Sequence, residues 1–301
     1  MSEPRHFITG SELKPGELIA LIERARELKS APANGAQPLQ GRSIAILLAR
    51  PSTRTRASFE VGIAQLGAMP VVLRSEELQL ARGESPRDTA LVLSRYVDAI
   101  VTRPGADETI EELARNASVP VINALTPSHH PCQALADLMT LAERFGALDG
   151  LRLAFVGDGN NVCNSLILLG STVGVEVAVA CPPGHEPDAA IVQQAGDLVS
   201  VGHSPREAAT GAHALYTDVW VSMGDELEAE QRRRLLAPFR LDEELLAAAR
   251  EDAIVLHCLP AHPGEEITEG LLYGEHSAVW DQAENRLHAQ KALLELLLAE
   301  G

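Results

Sequence analysis

The chain has 301 residues, 46% of them hydrophobic, a length that accommodates about two domains with separate cores. Its 42 acidic residues outweigh 25 basic ones, and the resulting net charge of −17 argues against nucleic acid or an anionic membrane surface as a partner. Any bound anion must therefore be held by a few basic residues gathered in one place.

In chain order, a first helix is expected over residues 14–30, then an Ala-, Pro- and Gly-rich loop at 31–40. Residues 43–49 form a continuous apolar run, the pattern of a strand covered on both faces. A helix at 53–67, a strand at 70–74, a helix at 85–96 and a strand at 99–103 come after it. A helix at 107–116, a strand at 119–124 and a long amphipathic helix at 130–145 complete this series. Asp149-Gly150 marks a turn and the expected change of domain, after which the rhythm restarts with a strand at 152–156 and a helix running to about 174. Strands at 175–181, 198–201, 214–217 and 253–257 come next, with a helix at 188–196. The charged segment 226–250 reads as an exposed helix, and 285–300 as a closing helix rich in Ala and Leu. This alternation predicts an α/β protein of two doubly wound domains, each a central parallel sheet flanked by helices.

Four scattered cysteines (Cys132, Cys163, Cys181, Cys258) lack disulfide or metal spacing and fit free thiols in a reducing compartment. The N-terminus has no apolar core of a signal peptide, and no apolar run reaches the ~20 residues of a spanning helix. The expected location is the cytoplasm.

In doubly wound sheets ligands sit beyond the carboxyl ends of the strands, and several such loops carry unusual chemistry. Ser52-Thr53-Arg54-Thr55-Arg56 puts hydroxyls and arginines at a helix start, where backbone N–H groups and the helix dipole favour a phosphate. Residues 54 and 56 do not share a helical face, so one of the two arginines at most points at the anion. Arg103 stands at the end of a neighbouring strand. His130-Pro131-Cys132-Gln133 opens a helix with an imidazole and an amide three residues apart, groups that can polarise a carbonyl without a metal.

Gly157-Asp158-Gly159-Asn160-Asn161-Val162 joins a strand to a helix but lacks the third glycine of a dinucleotide fingerprint. The next strand ends in Cys181-Pro182-Pro183, without an acid for a ribose, so a nucleotide cofactor is not expected. Asp218, ahead of Ser222-Met223-Gly224, offers a carboxylate for an ammonium beside an adaptable loop. His257-Cys258-Leu259-Pro260-Ala261-His262 suggests zinc at first sight, yet no second ligand pair matches it, and no metal is expected.

Taken together these segments resemble the aspartate/ornithine carbamoyltransferase family over nearly the whole chain. Residues 52–56 and 130–133 look like its carbamoyl-phosphate motifs. Asp218 with residues 222–224, and residues 257–260, look like the motifs of the ornithine branch. Arg286, in Glu284-Asn285-Arg286-Leu287-His288, and Gln79, in Gln79-Leu80-Ala81-Arg82-Gly83-Glu84, match further carbamoyl-phosphate residues. Departures are small: Leu48-Ala49-Arg50 stands where similar proteins often carry Phe-Glu-Lys, and Ala81 where glycine is common.

The resemblance implies transfer of a carbamoyl group from carbamoyl phosphate to the δ-amine of L-ornithine, giving citrulline and phosphate, with no cofactor. It implies a carbamoyl-phosphate domain at 1–129, with the closing helix 285–301 packed back on it, and an ornithine domain at 130–284. It assigns carbamoyl phosphate to Ser52, Thr53, Arg54, Thr55, Gln79, Arg103, His130, Gln133, Cys258, Leu259 and Arg286. Ornithine falls to Asn161, Asp218, Ser222 and Met223, and catalysis to Arg103, His130, Gln133, Asp218 and Cys258. Closure of the 222–224 loop would exclude water. The family further implies a homotrimer, or a multiple of trimers, in which Gln79 reaches the next subunit's site. Rival readings are another amine acceptor such as putrescine or N-acetylornithine, a carbamoyl-phosphate-binding protein without turnover, and a nucleotide-dependent oxidoreductase.

Overall fold

The computed structural model describes residues 4–31, 35–74, 77–221 and 229–298. The chain divides into two compact units, one of residues 1–135 with 285–301, the other of residues 136–284.

In the first unit, α1 (Pro15–Ser30) precedes β1 (Ser43–Leu48), α2 (Thr53–Gln65), β2 (Met69–Arg74) and a 3-10 turn at Gln79–Arg82. Then come α3 (Pro86–Leu93), β3 (Ala99–Arg103), α4 (Asp107–Asn116), β4 (Val121–Asn123) and α5 (Pro131–Phe145), the last running across the division. The sheet is wholly parallel in the order β2-β1-β3-β4, with Leu48 level with Arg103. Strand order therefore reverses between β1 and β3, and both strands deliver candidate residues at that switch point. The apolar run of 43–48 is explained by burial on both faces, whereas the edge strand β2 is half-buried. Ala45, Leu47, Ile100, Leu113 and Val121 lie in a common buried cluster.

The second unit contains β5 (Arg152–Val156), α6 (Asn161–Thr172), β6 (Glu176–Ala180), α7 (Ala189–Ala195), β7 (Val199–Gly202) and α8 (Pro205–Ala209). After these come β8 (Ala214–Thr217), α9 (Ala229–Leu236), α10 (Glu243–Leu246), β9 (Ile254–His257), α11 (Glu269–Tyr273) and the start of α12 (Val279–Leu298), which continues into the first unit. Its sheet is again parallel, ordered β7-β6-β5-β8-β9, with the switch between β5 and β8. Two parallel sheets with helical crossovers are the architecture the sequence predicts.

The segment 226–250 differs from expectation. Residues 222–228 lie outside the described ones, and the remainder forms two short helices broken by a 3-10 turn at Ala237–Phe239. Pro238 interrupts the helical bonds, and Asp242 caps α10 by accepting from Leu245 N at 2.9 Å. Nor is the segment wholly exposed, since Leu236, Phe239, Leu241 and Leu245 are buried in the second unit. Two short helices, α8 and α11, went unforeseen; each begins at a hydroxyl cap, Ser204 or Thr268. Among the described residues no helix is long and apolar enough to cross a membrane.

Candidate active site

Ser52 is the N-cap of α2, but its hydroxyl does not cap. Its Oγ instead accepts from Arg103 Nη1 at 2.8 Å, a bond across the adjacent ends of β1 and β3. The first intrahelical bond is Arg56 N to Ser52 O, so the N–H groups at the start of α2 keep their capacity for a ligand. Thr53 and Arg54 are exposed in that first turn, whereas Arg56 is bound to Glu60 at 3.0 Å. Of the two arginines, Arg54 is thus the one left to meet an anion.

Arg286, on α12, is buried and forks between two acceptors, Gln133 Oε1 and Thr55 Oγ1, each at 3.1 Å. It ties α12 to the starts of both α5 and α2. Gly62 lets α2 pack closely on α12: a Cβ there would lie 3.2 Å from side-chain atoms of Leu287 and Lys291, which would have to give way. Gln133 and His130 are both buried at the start of α5.

The electrostatics reflect this crowding. Arg103 is pushed down to about 10, first by burial and then by Arg286, Arg50 and Arg54. Its buried Nε donates to no described group, which keeps it available to a ligand oxygen. His130 is held well below its usual 6.5, by burial first and then by Arg286, Arg103 and Arg54. At neutral pH it is an uncharged imidazole, able to donate a hydrogen bond without adding a further positive charge. Burial raises the Cys132 thiol to about 12, and its Sγ donates to Asn123 O, a structural arrangement.

The second unit presents a contrasting set. Asp218 comes directly after β8 and, among the described residues, accepts three hydrogen bonds: from Asn160 Nδ2 at 2.6 Å, from Cys258 Sγ at 2.7 Å and from Val219 N at 2.8 Å. Asn160 also caps α6, its Oδ1 accepting from Val162 N and Cys163 N. Asn161 is the first residue of α6 and half-buried. Cys258 is 9% exposed, and Leu259 adopts a left-handed φ of 59° ahead of a cis Leu259-Pro260 bond.

The loop at 157–160 is unsuited to a pyrophosphate, because Asn160 already uses N–H groups at the start of α6. Gly159 serves a different purpose from a fingerprint glycine: a Cβ there would lie 2.3 Å from Pro187 N. Asp158 is bound by His185 Nδ1 at 2.8 Å and Arg232 Nη2 at 2.5 Å. As for a metal, Asp218, His257 and Cys258 offer ligand atoms within 4.8 Å of one another. However, both ring nitrogens of His257 are engaged, with Leu259 N and Glu266 Oε1, which leaves it no lone pair to give.

The structure thus groups Ser52, Thr55, Arg103, Gln133 and Arg286 in the first unit, with His130 and Arg54 within their electrostatic reach. It groups Asp218 with Cys258 in the second. Gln79, at the start of the 3-10 turn, is exposed and bonded to none of these residues among those described. Ser222 and Met223, with the rest of the 222–224 loop, lie outside the described residues, as does the side chain of Ala81. Sequence reasoning named Asn160 in the 157–162 loop but missed its bond to Asp218, and it missed Glu266, which carried no signal.

Two family models match the chain. "Aspartate/ornithine carbamoyltransferase, carbamoyl-P binding domain" covers residues 5–143, and "Aspartate/ornithine carbamoyltransferase, Asp/Orn binding domain" covers residues 149–297. Among curated relatives, the ornithine carbamoyltransferase of Acidothermus cellulolyticus is 55% identical, over 98% of this chain and 96% of its own. That of Methanoculleus marisnigri is 53% identical, over 99% and 98%. Among solved structures, ornithine carbamoyltransferase from Pyrococcus furiosus superposes with a TM-score of 0.94 at 44% identity, covering 99% of this chain and 98% of that one. The Thermus thermophilus enzyme gives 0.91 at 45% identity, covering 99% and 100%.

Proposed function

The chain belongs to the aspartate/ornithine carbamoyltransferase family, and on that premise we propose that it transfers the carbamoyl group of carbamoyl phosphate to the δ-amine of L-ornithine, releasing L-citrulline and phosphate. The observation that carries this reading is the cationic, hydroxyl-lined cluster at the β1/β3 switch point in a chain of net charge −17.

The phosphate is held by Ser52, Thr53, Arg54 and Thr55 at the N-terminus of α2, with Arg103 beside them and Gln79 supplied by a neighbouring subunit. Arg103, His130, Gln133 and the Thr55 hydroxyl surround the carbonyl oxygen, and Arg286 and the carbonyl of Leu259 complete the donor's contacts. The neutrality of His130 suits this role, since an N–H donor stabilises a developing oxyanion without needing a proton of its own to be replaced. Ornithine is held by Asn161 and Met223 at its carboxylate and by Asp218 and Ser222 at its α-ammonium. Asp218 and Cys258 lie toward the δ-nitrogen.

That nitrogen is the chemical difficulty. A free alkylammonium has a pKa near ~10.4, so binding it neutral at pH 7 costs about 4–5 kcal/mol. Loss of water around it supplies part of the remedy. The neutral amine attacks the carbamoyl carbon, a tetrahedral anion forms, and the carbon–oxygen bond to phosphate breaks as the carbonyl returns. The departing phosphate takes the amine's surplus proton, so atoms and charge balance without a cofactor.

Asp218 favours ornithine over N-acetylornithine, which has no α-ammonium to meet it, and Asn161 favours it over putrescine, which has no carboxylate. Arginine biosynthesis is the proposed pathway and the cytoplasm the proposed location, in keeping with four buried cysteines that form no disulfide. A homotrimer is proposed from the family's sharing of Gln79. Citrulline formation from carbamoyl phosphate with ornithine, and carbamoyl transfer to putrescine or N-acetylornithine, test the activity. Turnover with ornithine at a kcat/KM at least about tenfold above the others is expected, and a preference for another amine would overturn the acceptor. Growth of a citrulline-requiring strain on the expressed gene tests the pathway, and light scattering at a threefold protomer mass tests the assembly.

A further inference from the structure

The loop after β9 is held by a residue that the reaction above does not use. Glu266 is fully buried, and a single oxygen of it makes two bonds. Its Oε1 accepts from His262 N at 2.5 Å and faces His257 Nε2 at 3.1 Å. The other ring nitrogen, Nδ1, accepts from Leu259 N at 2.9 Å. A nitrogen that accepts a backbone N–H carries no proton, so the proton of His257 must sit on Nε2 and point at Glu266. One tautomer therefore satisfies both contacts. One carboxylate oxygen thereby fixes the loop at both ends, through His257 at Leu259 and directly at His262.

The residues that this clamp holds, Cys258 and Leu259, are among those given a part in the reaction above. Leu259 is the one positive-φ non-glycine among the described residues, a conformation that is unfavourable for an L side chain and must be held from outside. Cys258, adjacent to it, directs its Sγ at Asp218. The base of the clamp is anchored as well, since Leu241 N donates to Glu266 O at 2.9 Å and Thr268 N to Leu241 O at 3.0 Å. A buried carboxylate is a costly way to fill space, and an apolar side chain of similar volume does so more cheaply. The carboxylate adds direction.

We propose that Glu266, acting through His257, is a positioning residue that fixes the Cys258 thiol for the acceptor and, beside it, the backbone of Leu259. This rests on the functional reading above, and the test separates the two. In the full-length protein, Glu266→Ala and Glu266→Gln are compared with wild type by three measurements. These are the rate of iodoacetamide labelling of Cys258, read by mass spectrometry of its peptide, the split between ornithine KM and kcat, and the affinity for inorganic phosphate by calorimetry. Cys258 is distinguishable because the other three cysteines are completely buried.

For Glu266→Ala, labelling about tenfold faster and an ornithine KM about tenfold higher are expected, the equivalent of one lost buried hydrogen bond. Phosphate affinity should stay within about twofold, because its proposed ligands are in the other unit. Glu266→Gln should restore labelling and KM to within about threefold, since an amide oxygen keeps both acceptor roles while Oε2 accepts nothing among the described residues. Unchanged labelling in folded Glu266→Ala, or a Gln variant as impaired as the Ala one, overturns the proposal. Should Glu266→Ala fail to fold by circular dichroism, Glu266→Asp, which shortens the reach to both donors, is read by the same criteria. If wild type makes no citrulline yet labelling responds as described, the clamp stands and the functional reading falls.

Discussion

Replacing Arg286 with methionine removes one charge, and the hydrogen bonds to Gln133 and Thr55, from the interior of the first unit. Methionine matches the length of the stem but offers no donor. Two buried acceptors, Gln133 Oε1 and Thr55 Oγ1, then lose their shared partner. At about 1–3 kcal/mol for each buried hydrogen bond lost, the variant should lose about 2–6 kcal/mol of stability. A second consequence is electrostatic. Arg286 is the largest influence after burial on His130, so its removal must raise the pKa of that imidazole, though burial still keeps it below 6.5. Turnover should fall by about 10²–10³, as when a donor to a developing oxyanion is removed. Urea unfolding tracked by circular dichroism reads the stability, and the His130 ring resonance reads the pKa. Arg286→Lys separates the two effects. Its charge restores the depression of His130, but a single ammonium lacks the fork and recovers only part of the stability. An Arg286→Met protein as stable as wild type, with His130 titrating unchanged, would show that Arg286 does not organise this cluster.

The same geometry sets four further outcomes. Arg54→Ala should raise the carbamoyl phosphate KM by about 10–100-fold, the value of one charge-assisted hydrogen bond, and depress turnover with little effect on stability; intact turnover would remove the phosphate from α2. Cys258→Ala should raise the ornithine KM by about fivefold and leave that of carbamoyl phosphate unchanged, because Asp218 loses a donor. Gly159→Ala should lower unfolding stability by about 1–3 kcal/mol or more, since its Cβ meets backbone atoms of residues 185–187 that cannot turn aside. Because His130 binds its proton less readily when folded, its contribution is complete above about pH 6.5 and is lost below that at about 1.4 kcal/mol per pH unit until the folded pKa is reached; His130→Asn should remove that part of the acid slope in urea unfolding.

Much of the fold was legible because its signals are local. The apolar runs at 43–48 and 152–156 read as buried strands without reference to anything distant, and proline at the first turn of α1, α3 and α5 marks helix starts. The segment 226–250 misled because its charges hide an apolar set, Leu236, Phe239, Leu241 and Leu245, whose spacing is broken by Pro238 and so matches neither a helix nor a strand. In the candidate site, hydroxyls, arginines and histidines at strand ends stood out individually. Their partnerships did not, because Arg286 is 153 residues from Gln133 and 231 from Thr55. Glu266 was silent for the same reason: a glutamate in a loop looks like surface charge until the imidazole it faces is known.

The two units show how one topology yields opposite chemistries. Each puts a helix directly after the strand at its switch point, α2 after β1 and α6 after β5. An uncapped helix N-terminus attracts anions, so the cap residue decides what the loop can hold. In the first unit Ser52 is drawn off by Arg103, and the N–H groups of α2 are left to an anion with arginines around it. In the second, Asn160 satisfies α6 with its oxygen and gives its amide to Asp218, which leaves a carboxylate as the dominant charge. A phosphorylated donor suits the first arrangement and an ammonium the second. That division needs no difference in fold, only a serine that turns away from its helix and an asparagine that does not.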